Sequence, residues 1–303
     1  MPLIGIIILN YNTSEETLKC VDSIRKWTLN SYKIYIIDNC STDDSPSILS
    51  KTYCSDTDVM VFINNENRGY SAGNNIGIKF AEQEGCKYIF IVNSDVELLN
   101  NALDIMVNTL ETNEQYMMIG PSVIDNNRNE SQLPRRLMTF SDFIMARHPF
   151  CIIPYFRKKS DRIVSFDHNP LVFDGSVSGC CFGMRTDDFA RIEYLDEKVF
   201  LYAEEDIMAY KMHRIGKKSV VEFEAKVWHK ANVSTKKEGN AFVQYHRWIS
   251  SLYLLKEYVE INRSKQICVA IWNIITWGAL SLTSFEHRKR MKKFIEDSRK
   301  ILD

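Results

Sequence analysis

The eight cysteines of this 303-residue chain never form a CxxC pair, so neither a zinc framework nor a disulfide-stapled secreted scaffold is indicated. Net charge is also missing. Against 38 Lys and Arg stand 39 Asp and Glu, a formal charge of -1, which removes any general attraction to nucleic acid and leaves polyanion binding to local patches. There is no strand-linked GxGxxG fingerprint and no GK[ST] loop, so dinucleotide binding and P-loop hydrolysis are poorly supported. The first apolar run stops at Asn10-Tyr11-Asn12, with no basic segment before it and no small-residue cleavage signal. It reads as a buried first strand, and the scattered cysteines suit a reducing, cytoplasmic compartment.

What is present is ordinary globular composition, 45% hydrophobic and 25% charged, enough for one large α/β domain or two modest ones. Short β-prone runs at residues 4–9, 33–37, 60–63 and 88–92 alternate with helix-like stretches at 15–27, 45–53 and 72–84. That order predicts a mostly parallel sheet with helices on both faces. Ligands of such sheets bind at the carboxyl ends of the strands. Here those ends read Asn10-Tyr11-Asn12, Asp38-Asn39, Asn64-Asn65 and Asn93-Ser94-Asp95, which points to one polar cleft. The pattern loosens over 126–170, where Pro134-Arg135-Arg136, Pro149, Pro154 and Arg157-Lys158-Lys159 interrupt short apolar pieces; this excursion is expected to shape the second half of the cleft. A helix over 204–215 stopped by Gly216, a strand over 218–223 and a short one ending near His229 complete the regular part.

Several clusters carry possible chemistry. The Asp38-Asn39-Cys40-Ser41 turn can meet an imide, a ribose hydroxyl or a phosphate, or can simply cap a helix. The run from Asn67 through Gly69, Gly73 and Asn74 to Gly77 is glycine-rich, which serves either backbone approach to a ligand or tight helix packing. Asp95 and His229 end separate strands and are a candidate pair for Mn²⁺ or Mg²⁺ beside a diphosphate. Glu204 and Glu205 adjoin, so each raises the other's pKa and favours one as proton acceptor. Acidic residues in a first helical turn also complement the helix dipole.

The motifs IIILNYN, IIDNCSTDDS, NENRGYSAGNNIG, IFIVNSDVEL, VSGCCFGMR, FLYAEEDIMAYKMHRIG and VWHK, in that order, resemble a family 2 glycosyltransferase of the α/β GT-A type. The resemblance spans about residues 3–235 and is nearest the bacterial rhamnosyltransferase-like and galactofuranosyltransferase-like enzymes. It implies a GT-A domain over 1–240, with a nucleotide-binding half to about 125 and an acceptor-side half beyond it. It also implies roles. Tyr11, Asp38 and Asn39 surround base and ribose, while Asn67, Gly69, Gly73, Asn74, Asn93 and Asp95 line the nucleotide sugar. Asp95 and His229 hold the metal, Gly179 and Trp228 face donor sugar and acceptor, and Glu205 is the base, with Glu204 reachable by a one-residue shift. Asn93 stands where the family's DxD motif has its first aspartate, which weakens one metal contact. The implied reaction is inverting transfer from a dTDP- or UDP-sugar, L-rhamnose from dTDP-rhamnose first, to a polyprenyl-diphosphate-linked saccharide. A metal-dependent nucleotidyltransferase would need a basic loop after the first strand, and a binding subunit without catalysis would not need Asp95, Glu205 and His229 together.

The tail, 241–303, reads as a helical extension. Residues 267–283 are uncharged but contain Asn273, Thr276, Ser281 and Thr283, at the low limit for a bilayer span. Residues 287–300 follow with seven Lys and Arg against Glu296 and Asp297. Apolar helix then basic helix suits peripheral contact with an anionic inner membrane surface; packing on the domain and a homodimer surface are the alternatives.

Overall fold

The computed structural model describes residues 2–131, 134–146, 162–164, 168–230 and 239–302. Pro149, Pro154 and Arg157-Lys158-Lys159 lie outside the described residues. In chain order the elements are β1 (Ile4–Asn10), α1 (Ser14–Trp27), β2 (Tyr32–Asp38), α2 (Ser45–Thr52), β3 (Val59–Ile63), α3 (Tyr70–Gln83), β4 (Tyr88–Val92), β5 (Val96–Leu98), α4 (Ala102–Glu111), β6 (Tyr116–Ile124), β7 (Glu130–Ser131), β8 (Arg135–Arg136) and α5 (Phe140–Ala146). There follow β9 (Leu171–Phe173), β10 (Gly175–Ser176), β11 (Cys181–Arg185), α6 (Thr186–Arg191), α7 (Glu204–Arg214), β12 (Lys218–His229), α8 (Asn240–Glu257), α9 (Arg263–Thr283) and α10 (Phe285–Leu302).

The main sheet runs β3-β2-β1-β4-β11-β6-β12-β5. Its first four strands are all parallel, because each is reached through a helical crossover. Beyond β4 the directions mix. β11 lies antiparallel to β4 and β6, β12 runs parallel to β6, and β5 returns antiparallel to β12. The two strands expected at 218–223 and near His229 are one strand, β12, whose pairing with β6 shifts register between Glu222 and Lys226. That irregularity turns the end of β12 toward β5.

Alternation along β1 fills both faces of the sheet. Ile6 and Ile8 pack with Cys20, Val21 and Ile24 of α1 and with Leu103 and Met106 of α4. Ile7 packs on the other side with Ile78 and Ala81 of α3, Phe189 of α6 and Met208 of α7. The buried positions of α1 recur every three or four residues, the spacing that gives a helix one apolar stripe. At the carboxyl end of the chain, α8 contributes Leu252, Leu254 and Leu255 to a core shared with Val199 and Ile207. The last two helices form an antiparallel hairpin, closed by Arg263 Nη1 donating to Leu302 O at 2.6 Å and by Trp277 stacked on Phe294 at 4.3 Å.

Candidate active site

The polar strand ends meet at one edge, joined by side-chain hydrogen bonds. Asn10 closes β1 opposite Asp38 of β2 and donates to it through Nδ2 at 2.6 Å. Its Oδ1 accepts from the Thr13 and Thr17 hydroxyls at 3.1 and 2.8 Å. The Ser41 amide and hydroxyl donate to Asp38 at 2.9 and 2.7 Å. Asp38 is therefore fully buried, with both oxygens occupied by its own turn, and it fixes the strand ends from beneath. Tyr11 remains partly exposed on the rim of that turn. One strand further, Asn39 donates to Asn67 Oδ1 at 2.9 Å and to Gly69 O at 3.2 Å while accepting from Asn64 at 3.1 Å. These asparagines tie the β2, β3 and α3 loops together.

The glycines serve close packing. A Cβ on Gly69, whose φ is +97°, would stand 2.3 Å from Phe200 O, the carbonyl that accepts the Tyr70 amide at 2.9 Å. A Cβ on Gly73 would stand 2.4 Å from Leu9 Cδ1, so Gly73 lets α3 settle on β1. Asn74 is buried beside it, donating to Tyr70 O at 2.9 Å, and its Oδ1 has no partner among the described residues. The Tyr70 hydroxyl donates to Gly179 O at 2.8 Å and lies 3.2 Å from Asn93 Oδ1. It thereby links the glycine-rich loop to the far side of the cleft.

Across the floor, the pairing of His229 with Val96 in the β5–β12 ladder brings His229 Nε2 to 3.1 Å from Asp95 Oδ1. Burial pulls the imidazole pKa down, but the bonds to Asp95 and Cys180 outweigh it and raise the value to about 10. A cation entering here would displace the proton that His229 shares with Asp95, leaving an oxygen donor and a nitrogen donor that fit the chemistry of a hard or borderline divalent cation. No group of three or more His, Cys, Asp and Glu placed to hold a metal ion is found among the described residues. Two protein donors would thus leave the remaining coordination positions to diphosphate oxygens and water. Trp228, next to His229, lines a small hollow with Glu16, Lys19, Asp95 and Lys230.

Opposite this pair, α7 begins after two consecutive left-handed residues, Tyr202 at φ 70° and Ala203 at φ 73°, a conformation costing about 1–3 kcal/mol per residue. Its first turn places three carboxylates in different surroundings. Asp206 takes a two-pronged ion pair from Arg162, both contacts at 2.8 Å, and a bond from Ser176 at 2.8 Å. Glu204 is only 4% exposed and its Oε1 has no partner among the described residues; burial, then the neighbouring Glu205, pushes its pKa well above the usual carboxylate range. Glu205 is half-buried and lies against Gly179, where a Cβ would fall 1.6 Å from its Oε1. Burial raises its pKa, with Asp206 adding and Arg135 and Arg162 opposing. Glu205 alone of the three both reaches the cleft wall and stays free of an ion pair among the described residues.

A model of the family described as "Glycosyl transferase family 2" matches residues 5–191. The chain belongs to glycosyl transferase family 2. It is 26% identical over 216 residues to the low-salt glycan biosynthesis hexosyltransferase of Haloferax volcanii, covering 70% of this chain and 62% of that protein. Over 116 residues it is 28% identical to the UDP-Glc:alpha-D-GlcNAc-diphosphoundecaprenol beta-1,3-glucosyltransferase of Escherichia coli, covering 38% of this chain and 44% of that one. The chain thus spans less than two thirds of the length of either relative. The crystal structure of GalNAc-T7 with UDP, GalNAc and Mn²⁺ has a similar fold, with a TM-score of 0.64 at 14% identity over 99% of this chain and 55% of that one.

For this family 2 chain, sequence reasoning missed Tyr70 and Arg162. Tyr70 carried a faint signal, an aromatic residue directly after the glycine that precedes α3. Arg162 carried none, because its partner Asp206 is 44 residues away.

Proposed function

We propose that the chain transfers a hexose, with inversion at the anomeric carbon, from a nucleoside-diphosphate donor to a hydroxyl of a polyprenyl-diphosphate-linked saccharide at the cytoplasmic membrane face. The observation that carries this reading is a chain of contacts across one cleft. Glu205 lies against Gly179, Gly179 accepts the Tyr70 hydroxyl, and that hydroxyl adjoins Asn93, two residues from the Asp95–His229 pair. Glu205, whose proton affinity is raised by burial, removes the proton from the acceptor hydroxyl as that oxygen attacks. Asp95 and His229 would hold the divalent cation, Mn²⁺ or Mg²⁺, and the charge it would supply there offsets that of a departing diphosphate. Asn39, Asn67 and Tyr11 stand where the base and ribose would lie, and Asp38, Gly69, Gly73 and Asn74 hold that wall in place.

The relatives' names support a hexose and a diphosphoundecaprenol acceptor, and the UDP and Mn²⁺ of GalNAc-T7 support a metal-assisted uridine donor. A UDP-hexose is accordingly put ahead of the dTDP-rhamnose that the motif resemblance favoured. Titration calorimetry with UDP and dTDP, each with and without Mn²⁺, tests the donor side. UDP is expected to bind at least about tenfold more tightly with metal, and Asp95→Asn to remove that gain, worth about 1.4 kcal/mol. Stronger binding of dTDP would restore the rhamnose donor, and metal-independent binding of both would sink the metal role of Asp95 and His229.

A further inference from the structure

The α9 helix buries three polar residues beside Val269 and Trp277 and leaves most of its large aliphatic side chains exposed. Facing the protein are Asn273, Thr276 and Ser281 among the buried residues, and Asn273 is fully buried with both amide atoms lacking partners among the described residues. Facing outward are Ile267, Cys268, Ile271, Ile274, Ile275, Leu282 and, just beyond the helix, Phe285. Ile271 is 55% exposed, Ile275 57% and Leu282 80%. At 100° per residue these positions form one stripe about 120° wide along the whole helix. In water that arrangement gains only what Val269 and Trp277 bury on the inner face, since the polar groups beside them lose hydration while isoleucines stay wet on the other side.

Charge is sorted the same way. Residues 263–302 hold nine Lys and Arg against three Asp and Glu, a formal +6, while the chain as a whole is -1, so the rest carries -7. Cations stand at both ends of the stripe. Arg263 and Lys265 begin α9, and Arg288 folds back onto the carbonyls of Ser281 and Leu282 at its other end.

We infer that α9 lies flat in the headgroup boundary of an anionic bilayer, with its isoleucine stripe among the acyl chains and the surrounding Lys and Arg on lipid phosphates. By length and composition α9 could also cross a membrane, with a mean hydropathy of 1.4. The hairpin argues against crossing. Phe294 stacks on Trp277 at the middle of α9, so the adjoining Lys292 and Lys293 would be carried into hydrocarbon, at about 2.5–3.5 kcal/mol or more per charge. Lying flat satisfies both the apolar stripe and the cations.

Flotation of the full chain with vesicles, without donor or acceptor, tests this independently of sugar transfer. Vesicles of phosphatidylcholine with about 30% phosphatidylglycerol should carry the protein up the gradient, while pure phosphatidylcholine should carry at least about tenfold less. The double substitution Ile271→Asp with Ile275→Asp changes only exposed positions and should reduce flotation at least about tenfold while far-ultraviolet dichroism and the melting temperature stay at wild-type values. Lys289→Glu with Lys292→Glu should bring binding to anionic vesicles down to the phosphatidylcholine level. Leu29→Asp, at an apolar position 69% exposed in the turn after α1, should float as wild type. Undiminished flotation of the double aspartate variant would overturn the inference. So would a dimer that the same variant splits, in light scattering, without any wild-type flotation, since the stripe would then be the contact between two copies.

Discussion

Adding a single methyl group at Gly179 tests whether the cleft is built around Glu205. In Gly179→Ala the new Cβ would lie 1.6 Å from Glu205 Oε1, 2.5 Å from Cδ and 3.0 Å from Cγ. Ordinary contact begins near 3.4 Å, so the carboxylate has to retreat by about 1.8 Å. A misplacement of about 1 Å costs roughly 10²-fold in rate, and a base lost altogether costs roughly 10²–10⁴. Turnover should therefore fall by about two to three decades, or roughly 3–4 kcal/mol of barrier, with nucleotide affinity changed by less than about threefold because uniform binding is untouched. The overpacking itself costs about 1–3 kcal/mol of stability, which a thermal melt reads separately. Initial rates with a lipid-linked acceptor, measured for Gly179→Ala, Glu205→Gln and the double variant, complete the assay. If Gly179 acts through Glu205, the double variant is no slower than Glu205→Gln alone, since two changes acting through one group do not add. A wild-type rate in Gly179→Ala, or losses that multiply in the double variant, would refute the assignment.

Two further outcomes follow from the same geometry. Glu204 binds its proton more tightly in the folded chain than in the unfolded one, so the folded state loses stability as pH rises above the ordinary carboxylate range. Glu204→Gln removes that slope and should melt about 2–4 °C higher than wild type at about pH 8, equivalent to roughly 1 kcal/mol, with the difference shrinking toward about pH 5. A pH-independent difference would show that Glu204 is not held protonated. Gly69→Ala places a Cβ 2.3 Å from Phe200 O at a φ of +97°, and should cost at least about 2 kcal/mol in denaturant melts; a smaller loss would mean that the Phe200 carbonyl yields easily.

The first hundred residues were legible because their signals are local. Each parallel strand is a short apolar run, and each ends in polar residues that the topology has to bring to one edge. Asp95 and His229 were readable for that reason, although only the β5–β12 pairing shows how close they come. The directions of β11 and β12 were not readable, since a hydrophobic run carries no sign of which way its strand points. The charged residues Glu222, Glu224 and Lys226 made β12 look like two strands, where the chain instead absorbs them in a register shift. The glycine-rich run allowed two readings by spacing alone, and the close approaches to Leu9 and Phe200 show what Gly73 and Gly69 do for packing. In the tail, composition exposed the apolar and basic runs, but which side of α9 faces outward depends on the Trp277–Phe294 stack.

The loop at 199–203 connects these parts. Phe200 O receives the Tyr70 amide and blocks any side chain at Gly69, so it fixes the start of α3. Tyr202 and Ala203 then adopt left-handed backbone and deliver Glu204 and Glu205 into the first turn of α7. A strained pair like this persists only where neighbours over-determine it, and here the neighbours come from α8. Ser250 donates to Leu201 O at 2.8 Å, the Arg247 guanidinium sits over the Tyr202 ring at 4.9 Å, and His246 stacks on Phe200 at 4.7 Å. Val199 and Ile207 bracket the loop in the core they share with Leu252, Leu254 and Leu255. The helix that leads into the α9–α10 hairpin is thus the same helix that holds Glu205 on target, so a chain ending before α8 would lose the aim of that carboxylate along with its tail.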